Sequence, residues 1–170
     1  MSDLYILDTS YSNVIGFVIR HAMITKVQGS FTDFEASFDL DTHTAQATIK
    51  VDSLDTKNRK RDAHVKSADF FDVENFPTIT FTATNANMQG NSGTITGDLT
   101  IKGHTQPVTL DVKLTGFFED LWDQTTIHVE ATTTINRKDF GIDFNVPLNT
   151  GDMLISNDIK IVIDGCAIQQ

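Results

Sequence analysis

The densest group of basic side chains in this chain spans Arg59 to Lys66, in the sequence RKRDAHVK. Three phenylalanines follow it within ten residues: Phe70, Phe71 and Phe76. Guanidinium and ammonium groups bind carboxylate and phosphate oxygens, whereas phenylalanine rings suit an apolar chain. The segment therefore predicts a site for an amphiphile, in which Arg61 and His64 hold the head group and the rings contact the tail. The alternative is that the basic groups pair with neighbouring carboxylates and that His64 is a structural histidine.

A second irregular segment, Asn136 to Gly141 with the sequence NRKDFG, has similar chemistry. It makes Arg137 a third candidate for contact with the head group, provided that both segments lie at the same end of the fold. The alternative is that Arg137 and Asp139 only fix a loop turn, in which Gly141 adopts a positive φ angle.

No pattern in the sequence indicates catalysis or metal binding. The five histidines show no HxH, HxxxH or histidine–cysteine spacing of the kind that zinc sites use. The chain also has no GxSxG motif, no phosphate-binding loop and no GxGxxG motif. We therefore predict a protein that is not an enzyme, with no catalytic residue, no metal and no cofactor.

Composition limits the possible partners. The 170 residues fit one domain, predicted over residues 1–170, and 39% of them are hydrophobic. A formal net charge of -10 disfavours binding to nucleic acid and to anionic membrane surfaces. No apolar run approaches the roughly 18 residues that cross a membrane, and the N-terminus lacks the pattern of a secretory signal. We expect a cytoplasmic protein, not embedded in a membrane, that is a monomer or a homodimer.

Strict alternation of apolar and polar residues fills most of the remaining chain. It predicts about eight main strands, at residues 14–22, 29–40, 45–51, 78–84, 95–101, 108–118, 127–135 and 159–163, with a short strand at 5–7. Polar turns are predicted at 87–93 and 103–107. Hairpin-length links without helical crossovers indicate antiparallel pairing. Eight antiparallel strands close most economically into a barrel, because closure removes unpaired edges, and a two-sheet sandwich is the alternative.

The inward faces of these strands mix large apolar residues with small ones: Ala36, Ala47, Ala83, Gly97, Gly116, Ala131 and Thr133. An eight-stranded barrel is just wide enough to be filled by side chains or to hold one small ligand, and the small residues favour a cavity. Together with Phe70, Phe71 and Phe76, the predicted lining consists of Phe17, Ile19, Phe34, Phe38, Ile49, Phe81, Leu99, Leu110 and Val129.

Several motifs together resemble the YceI-like family of polyisoprenoid-binding, lipocalin-like bacterial proteins. They are SYSNVIGFVIRH, VQGSFTDFEASFDLD, VDSLDTKNRKRDAHVKSADFFDVENFPTITF, GDLTIKGHTQPVTLDV, TTTINRKDFGID and ISNDIKIVIDG, in the order that the family has them. The resemblance implies an all-β fold, an extended eight-stranded antiparallel β-barrel with one or two short helices at one end. It also implies an apolar tunnel that holds an isoprenoid or another long-chain amphiphile, without catalytic activity.

The residues and the resemblance together predict a lipid-binding protein. Its partner would be an isoprenoid quinone, a polyprenyl phosphate or a fatty amide, bound for storage, transport or sequestration, and the only cofactor-like molecule would be this isoprenoid-type lipid. Two alternatives stay open. One is a filled barrel that acts as a stress-linked protein-interaction module. The other is an enzyme of isoprenoid or quinone metabolism, which requires a buried acid/base pair near the cavity.

Overall fold

The structure, a computed structural model, describes residues 3–8, 13–21, 25–119, 123–145 and 155–170. Its strands are β1 (Leu4–Asp8), β2 (Val14–His21), β3 (Thr25–Phe31), β4 (Phe34–Asp39), β5 (Thr44–Lys50), β6 (Leu54–Asp55), β7 (Thr78–Gln89), β8 (Ser92–Ile101), β9 (His104–Glu119), β10 (Thr125–Asn136) and β11 (Ile155–Gln169). The described α-helix, α1, is Arg59–Lys66, and two 3-10 turns cover Val51–Ser53 and Arg137–Phe140. None of the helices in these ranges is long and apolar enough to cross a membrane.

Eight antiparallel strands form a closed ring, in the order β1-β4-β5-β7-β8-β9-β10-β11. The ring closes where β1 pairs with the end of β11, Tyr5 opposite Gln169 and Ile6 opposite Ile168. The earlier part of β11 pairs instead with β2, and β3 and β6 continue the sheet from there. The prediction of an all-β, eight-stranded antiparallel barrel with a short helix is confirmed.

Turn chemistry explains where the strand boundaries differ from the predicted ones. The predicted turns at 87–93 and 103–107 are mostly strand, because each hairpin needs only two turn residues. Lys102 and Gly103 both have positive φ angles, 51° and 74°, as the tightest hairpin turns require. The predicted strand at 29–40 is two strands, β3 and β4, separated by a bend at residues 32–33. Ala22, the predicted end of β2, lies outside the described residues.

Irregular pairing changes which residues face inward on two strands. The register between β7 and β8 shifts between Ala83 and Asn85, so the inward face of β7 passes from odd to even residue numbers. A second shift, between Thr126 and His128, affects the pairing of β10 with β9. The small residue Gly97 does not provide cavity space, because a Cβ atom there would lie 2.5 Å from the Thr82 carbonyl oxygen. It permits close approach of two strands instead.

Hydrogen bonds to a buried threonine tie α1 to the chain that precedes it. The Asn58 side chain caps the helix by accepting from the Arg61 backbone N–H. Arg61 Nε donates to the Thr56 hydroxyl at 2.8 Å, and its Nη2 donates to the Thr56 carbonyl at 2.6 Å. The Asp62 carboxylate accepts from the Thr56 backbone N–H and hydroxyl. Because Thr56 is buried, these bonds satisfy groups that water does not reach.

Replacing Arg61 by Ala should lower the free energy of unfolding by about 1–3 kcal/mol, because two hydrogen bonds to a buried residue are lost. Lys60→Ala, at an exposed position of the same helix, serves as the control and should change stability by less than about 0.5 kcal/mol. Urea unfolding followed by circular dichroism measures both. Equal, small effects would show that the Thr56 contacts do not stabilise the helix.

Two glycines with positive φ angles provide a matched test of packing at the helix end. A Cβ atom at Gly141 (φ 72°) would lie 2.5 Å from the His104 ring, whereas one at Gly90 (φ 64°) has no atom within 4 Å. Gly90→Ala should cost about 1–2 kcal/mol from backbone strain alone. Gly141→Ala should cost about 1 kcal/mol more, because His104 must give up its hydrogen bond to Lys102. Equal midpoints in urea unfolding would contradict this contact.

Candidate ligand cavity

An apolar cavity of about 380 Å³ occupies the barrel at the end where α1 lies. Its walls follow from the strand alternation, since Phe17 and Ile19 of β2, Ile49 of β5 and Phe81 of β7 all point inward. Four isoleucines of β11 complete one side: Ile155, Ile159, Ile161 and Ile163. This volume is within the usual range for small-molecule sites, and the lining is apolar as such sites require.

A smaller cavity of about 110 Å³ lies further along the barrel. The two cavities have five lining residues in common: Ala36, Ala47, Phe81, Leu110 and Ile163. Asp39, Leu40, His43 and Thr44, at and beside the β4–β5 turn, contribute to the lining of the second cavity. The shared walls make the two cavities neighbouring parts of one interior.

Most of the predicted lining residues do border these cavities. Eight line the larger one: Phe17, Ile19, Ile49, Phe70, Phe71, Phe81, Leu99 and Leu110. Phe38 and Val129 line the smaller one. Phe34 and Phe76 line neither, although both were expected to. Phe34 is part of the packed core at the start of β4, and the Phe76 ring packs against Gly103 in the β8–β9 turn.

The two irregular segments meet at the helix end of the barrel. The His64 ring contacts Phe144 edge-on, with centroids 4.9 Å apart, and contacts Phe70 at 5.1 Å. Phe70 and Phe144 lie 5.2 Å apart, so the three rings form one cluster. All three line the larger cavity. This aromatic cluster, His64, Phe70 and Phe144, therefore joins the α1 segment to the residues that follow Arg137 and Lys138 in the chain.

The three head-group candidates differ sharply in what they already bind. Arg61 donates two hydrogen bonds to Thr56, as described above. His64 Nε2 lies 2.8 Å from an Asp69 carboxylate oxygen, and both side chains are about half exposed. Both residues line the cavity, but Arg61 Nε and Nη2 are hydrogen-bonded to Thr56 and His64 Nε2 is hydrogen-bonded to Asp69. The alternative interpretation, that the basic groups pair with neighbouring carboxylates, fits His64 with Asp69, whereas Arg61 bonds to a threonine instead of a carboxylate.

Arg137 is in a different position, because it is 1% exposed and lines the same cavity. Its Nε donates to the Ser156 carbonyl at 3.1 Å, and its Nη1 donates to the Ile142 and Phe144 carbonyls at 2.9 and 2.8 Å. Its Nη2 is buried and has no hydrogen-bond partner among the residues that the structure describes. Burial lowers the pKa of the Arg137 guanidinium, and the Asp143 carboxylate raises it in part. The group stays charged, because the ordinary pKa of arginine lies far above neutrality.

Sequence reasoning missed several residues that border the larger cavity. Phe140, Ile142 and Phe144 lie where the strand alternation breaks off, so no periodic pattern marks them as inward-facing. Thr56 and Arg20 have ordinary polar surroundings in the sequence. Strand alternation held a usable signal for others, since they repeat with a period of two on their strands: Ile79, Ile101, Val108, Ile135, Ile159, Ile161 and Ile163.

One group of side chains on the outer wall has the composition of a cation site. His128 Nε2 lies 3.1 Å from an Asp164 carboxylate oxygen and 3.4 Å from one of Glu130. The antiparallel register places Asp164 opposite Glu130. Because Asp164 is far from His128 in the sequence, the spacing of the histidines does not reveal this group. A protonated imidazole pairs with these exposed carboxylates equally well without a metal. None of the three residues lines either cavity.

Solved structures share this architecture. The Campylobacter jejuni YCEI protein has a TM-score of 0.74 and 29% identity, over 89% of this chain and 90% of that chain. Burkholderia cenocepacia BcnA has a TM-score of 0.79 and 24% identity, over 96% of this chain and 99% of that chain. A Saccharophagus degradans domain, described as a polyisoprenoid binding domain implicated in plant cell wall breakdown, has a TM-score of 0.69 and 13% identity over the full length of both chains.

Relatives and a family model give the same result from sequence. Two of the relatives are UPF0312 protein SAS2572 of Staphylococcus aureus strain MSSA476 and UPF0312 protein SA2479 of strain N315. Each is 38% identical over 162 residues, which is 92% of this chain and 92% of the relative. The model of the YceI-like domain matches residues 5–167. The resemblance seen in the motifs is confirmed, and the chain belongs to the YceI-like family.

Proposed function

We propose that this protein binds an isoprenoid or another long-chain amphiphile inside the barrel, for storage, transport or sequestration. The observation that carries the proposal is the apolar cavity of about 380 Å³. Moving one five-carbon unit from water into such a site is worth roughly 3–4 kcal/mol, at about 0.8 kcal/mol per carbon. Several units are needed before this gain exceeds the cost of immobilising the ligand, so long chains are favoured over short ones.

The composition of the cavity wall supports a binding role over catalysis. Among the described residues, no aspartate or glutamate lines the larger cavity. Its polar lining consists of Arg20, Thr56, Arg61, His64, Thr133 and Arg137. An enzyme that acts on an isoprenoid or quinone would need a general acid and a general base within reach of the substrate. An unfilled interior also weighs against a barrel that serves only as an interaction module.

The relatives support isoprenoid binding at the level of the family. The Saccharophagus degradans domain is described as polyisoprenoid-binding, and it shares this fold at 13% identity. The choice among a quinone, a polyprenyl phosphate and a fatty amide is not given by the fold. The cytoplasmic location and the choice between monomer and homodimer stay predictions of the sequence.

Protein purified without detergent from a bacterial host should carry a lipid. Organic extraction followed by mass spectrometry is expected to release a long-chain amphiphile in an amount comparable to that of the protein, because an apolar cavity of this size retains such chains. Protein that is extracted, refolded and incubated with a C20 isoprenoid alcohol should bind it. The absence of lipid in the extract, together with no binding of the added alcohol, would overturn the proposal.

A bulky residue at Ala47 should block binding without unfolding the barrel. Ala47 lines both cavities, so Ala47→Trp places an indole ring across the interior. Thr48→Trp is the matched control, because Thr48 is the next residue of β5 and is exposed. We expect at least tenfold weaker binding of the C20 alcohol for Ala47→Trp, and unchanged binding for Thr48→Trp, in calorimetric titrations. Unchanged binding in a correctly folded Ala47→Trp protein would place the ligand elsewhere.

A further inference from the structure

Among the residues that the structure describes, the ionisable groups that line the larger cavity share one sign. They are Arg20, Arg61, His64 and Arg137, and no carboxylate is among the described lining residues. The chain as a whole has a formal charge of -10, so this lining is the opposite of what composition alone suggests. A cavity lined only by potential cations favours a negatively charged guest over a neutral or positive one.

Arg137 carries an incompletely compensated charge within this lining. Three backbone carbonyls accept its hydrogen bonds, but no ion pair joins it to a carboxylate within the ranges that the structure describes. Its Nη2 is the one buried side-chain nitrogen or oxygen without a partner among these residues. A buried charged donor left unsatisfied is costly, and such groups in native proteins call for a specific explanation.

We propose that Arg137 binds the anionic head group, a carboxylate or a phosphate, of the long-chain ligand through its Nη2 group. This inference rests on the proposed function and adds the chemistry and the orientation of the ligand to it. The head group lies at the helix end, beside the aromatic cluster. The tail then runs along the barrel towards Phe38 and Val129 in the smaller cavity.

Geometry favours Arg137 over the two candidates of the α1 segment. Arg61 already uses two guanidinium nitrogens on Thr56, and His64 uses Nε2 on Asp69. Arg61 keeps Nη1 outside these bonds, but Arg61 is partly exposed and His64 is exposed, so water can satisfy their remaining groups. In Arg137, the bonds from Nε and Nη1 hold the guanidinium plane in place, and Nη2 is shielded from water. A donor that is held in place by its other bonds loses little conformational freedom on binding, which increases affinity.

The charge of the head group follows from the same contacts. A neutral carbonyl or hydroxyl oxygen would accept a hydrogen bond from Nη2, but the buried positive charge would then be balanced only in part, by the Asp143 carboxylate. A carboxylate or phosphate oxygen accepts the same bond and also supplies a negative charge, and the attraction between opposite charges is stronger in a buried site than in water. The proposal therefore ranks polyprenyl phosphates and fatty acids above alcohols, amides and quinones that have tails of equal length.

The test uses the wild-type protein and ligands that share one tail. Geranylgeranyl phosphate, geranylgeraniol and geranylgeranylamine are titrated calorimetrically below their aggregation concentrations, and palmitate is compared with hexadecanol. We expect the phosphate and the carboxylate to bind at least tenfold tighter than the matching alcohols, and the amine to bind more weakly than its alcohol. If only the phosphate binds more tightly than its alcohol, the natural ligand is a polyprenyl phosphate. If only palmitate binds more tightly than hexadecanol, the natural ligand is a fatty acid.

Variants locate the preference at Arg137. Arg137→Gln should bind both alcohols but lose the preference for the anion, whereas Lys138→Gln, which removes the same charge from the exposed neighbouring residue, should keep it. If Arg137→Gln does not fold, nitrogen-15 NMR of the arginine side chains in the wild-type protein decides. The Arg137 resonances should shift with the phosphate and not with the alcohol.

Two results would overturn the inference, and they are distinguishable. Equal affinities for anion and alcohol in the wild-type protein, or unmoved Arg137 resonances, would leave Arg137 as a clamp for the chain and would leave the proposed function intact. Failure of every long-chain ligand to bind would overturn the proposed function itself.

Discussion

Closure of the β-sheet on itself is the constraint on which the rest of this structure depends. The pairing of Tyr5 with Gln169 joins the first strand to the last, and this closure removes the unpaired edges that an open sheet of the same strands would have. Once the ring is closed, alternate side chains of every strand must point into one shared interior. An apolar interior then follows from the isoleucine and phenylalanine positions of β2, β5, β7 and β11. The cavity is enclosed by strands of this ring together with β2 and β3, and by no single strand.

Side-chain contacts at the helix end of the barrel position α1 beside the cavity. Thr56, Arg61 and Asp62 hold α1 against the preceding strand, and the rings of His64, Phe70 and Phe144 connect it to the opposite segment. The energy of each contact is modest, of the order of 1 kcal/mol for a hydrogen bond or an aromatic pair.

The charge of the cavity lining differs in sign from the net charge of the whole chain. Acidic residues outnumber basic ones by 23 to 13, whereas the ionisable side chains that line the larger cavity are basic among the described residues. A buried arginine is tolerated here because three backbone carbonyls replace most of its lost hydration. Arg137 is the one charged side chain that is buried among the described residues lining this cavity.

The sequence by itself was sufficient to predict the barrel and most of the residues on its inner wall. A period of two predicts the inward position of Phe17, Ile49 or Leu99 before any contact is known, because alternation is a local property of an extended chain. Only the tertiary structure showed that Arg137 is buried whereas Arg61 is partly exposed. It also showed that Phe38 lines the smaller cavity whereas Phe34 does not. The burial of a side chain near an irregular segment depends on which distant carbonyls and rings pack around it. For Arg137 these come from Ile142, Phe144 and Ser156, and no pattern along the chain records that they meet.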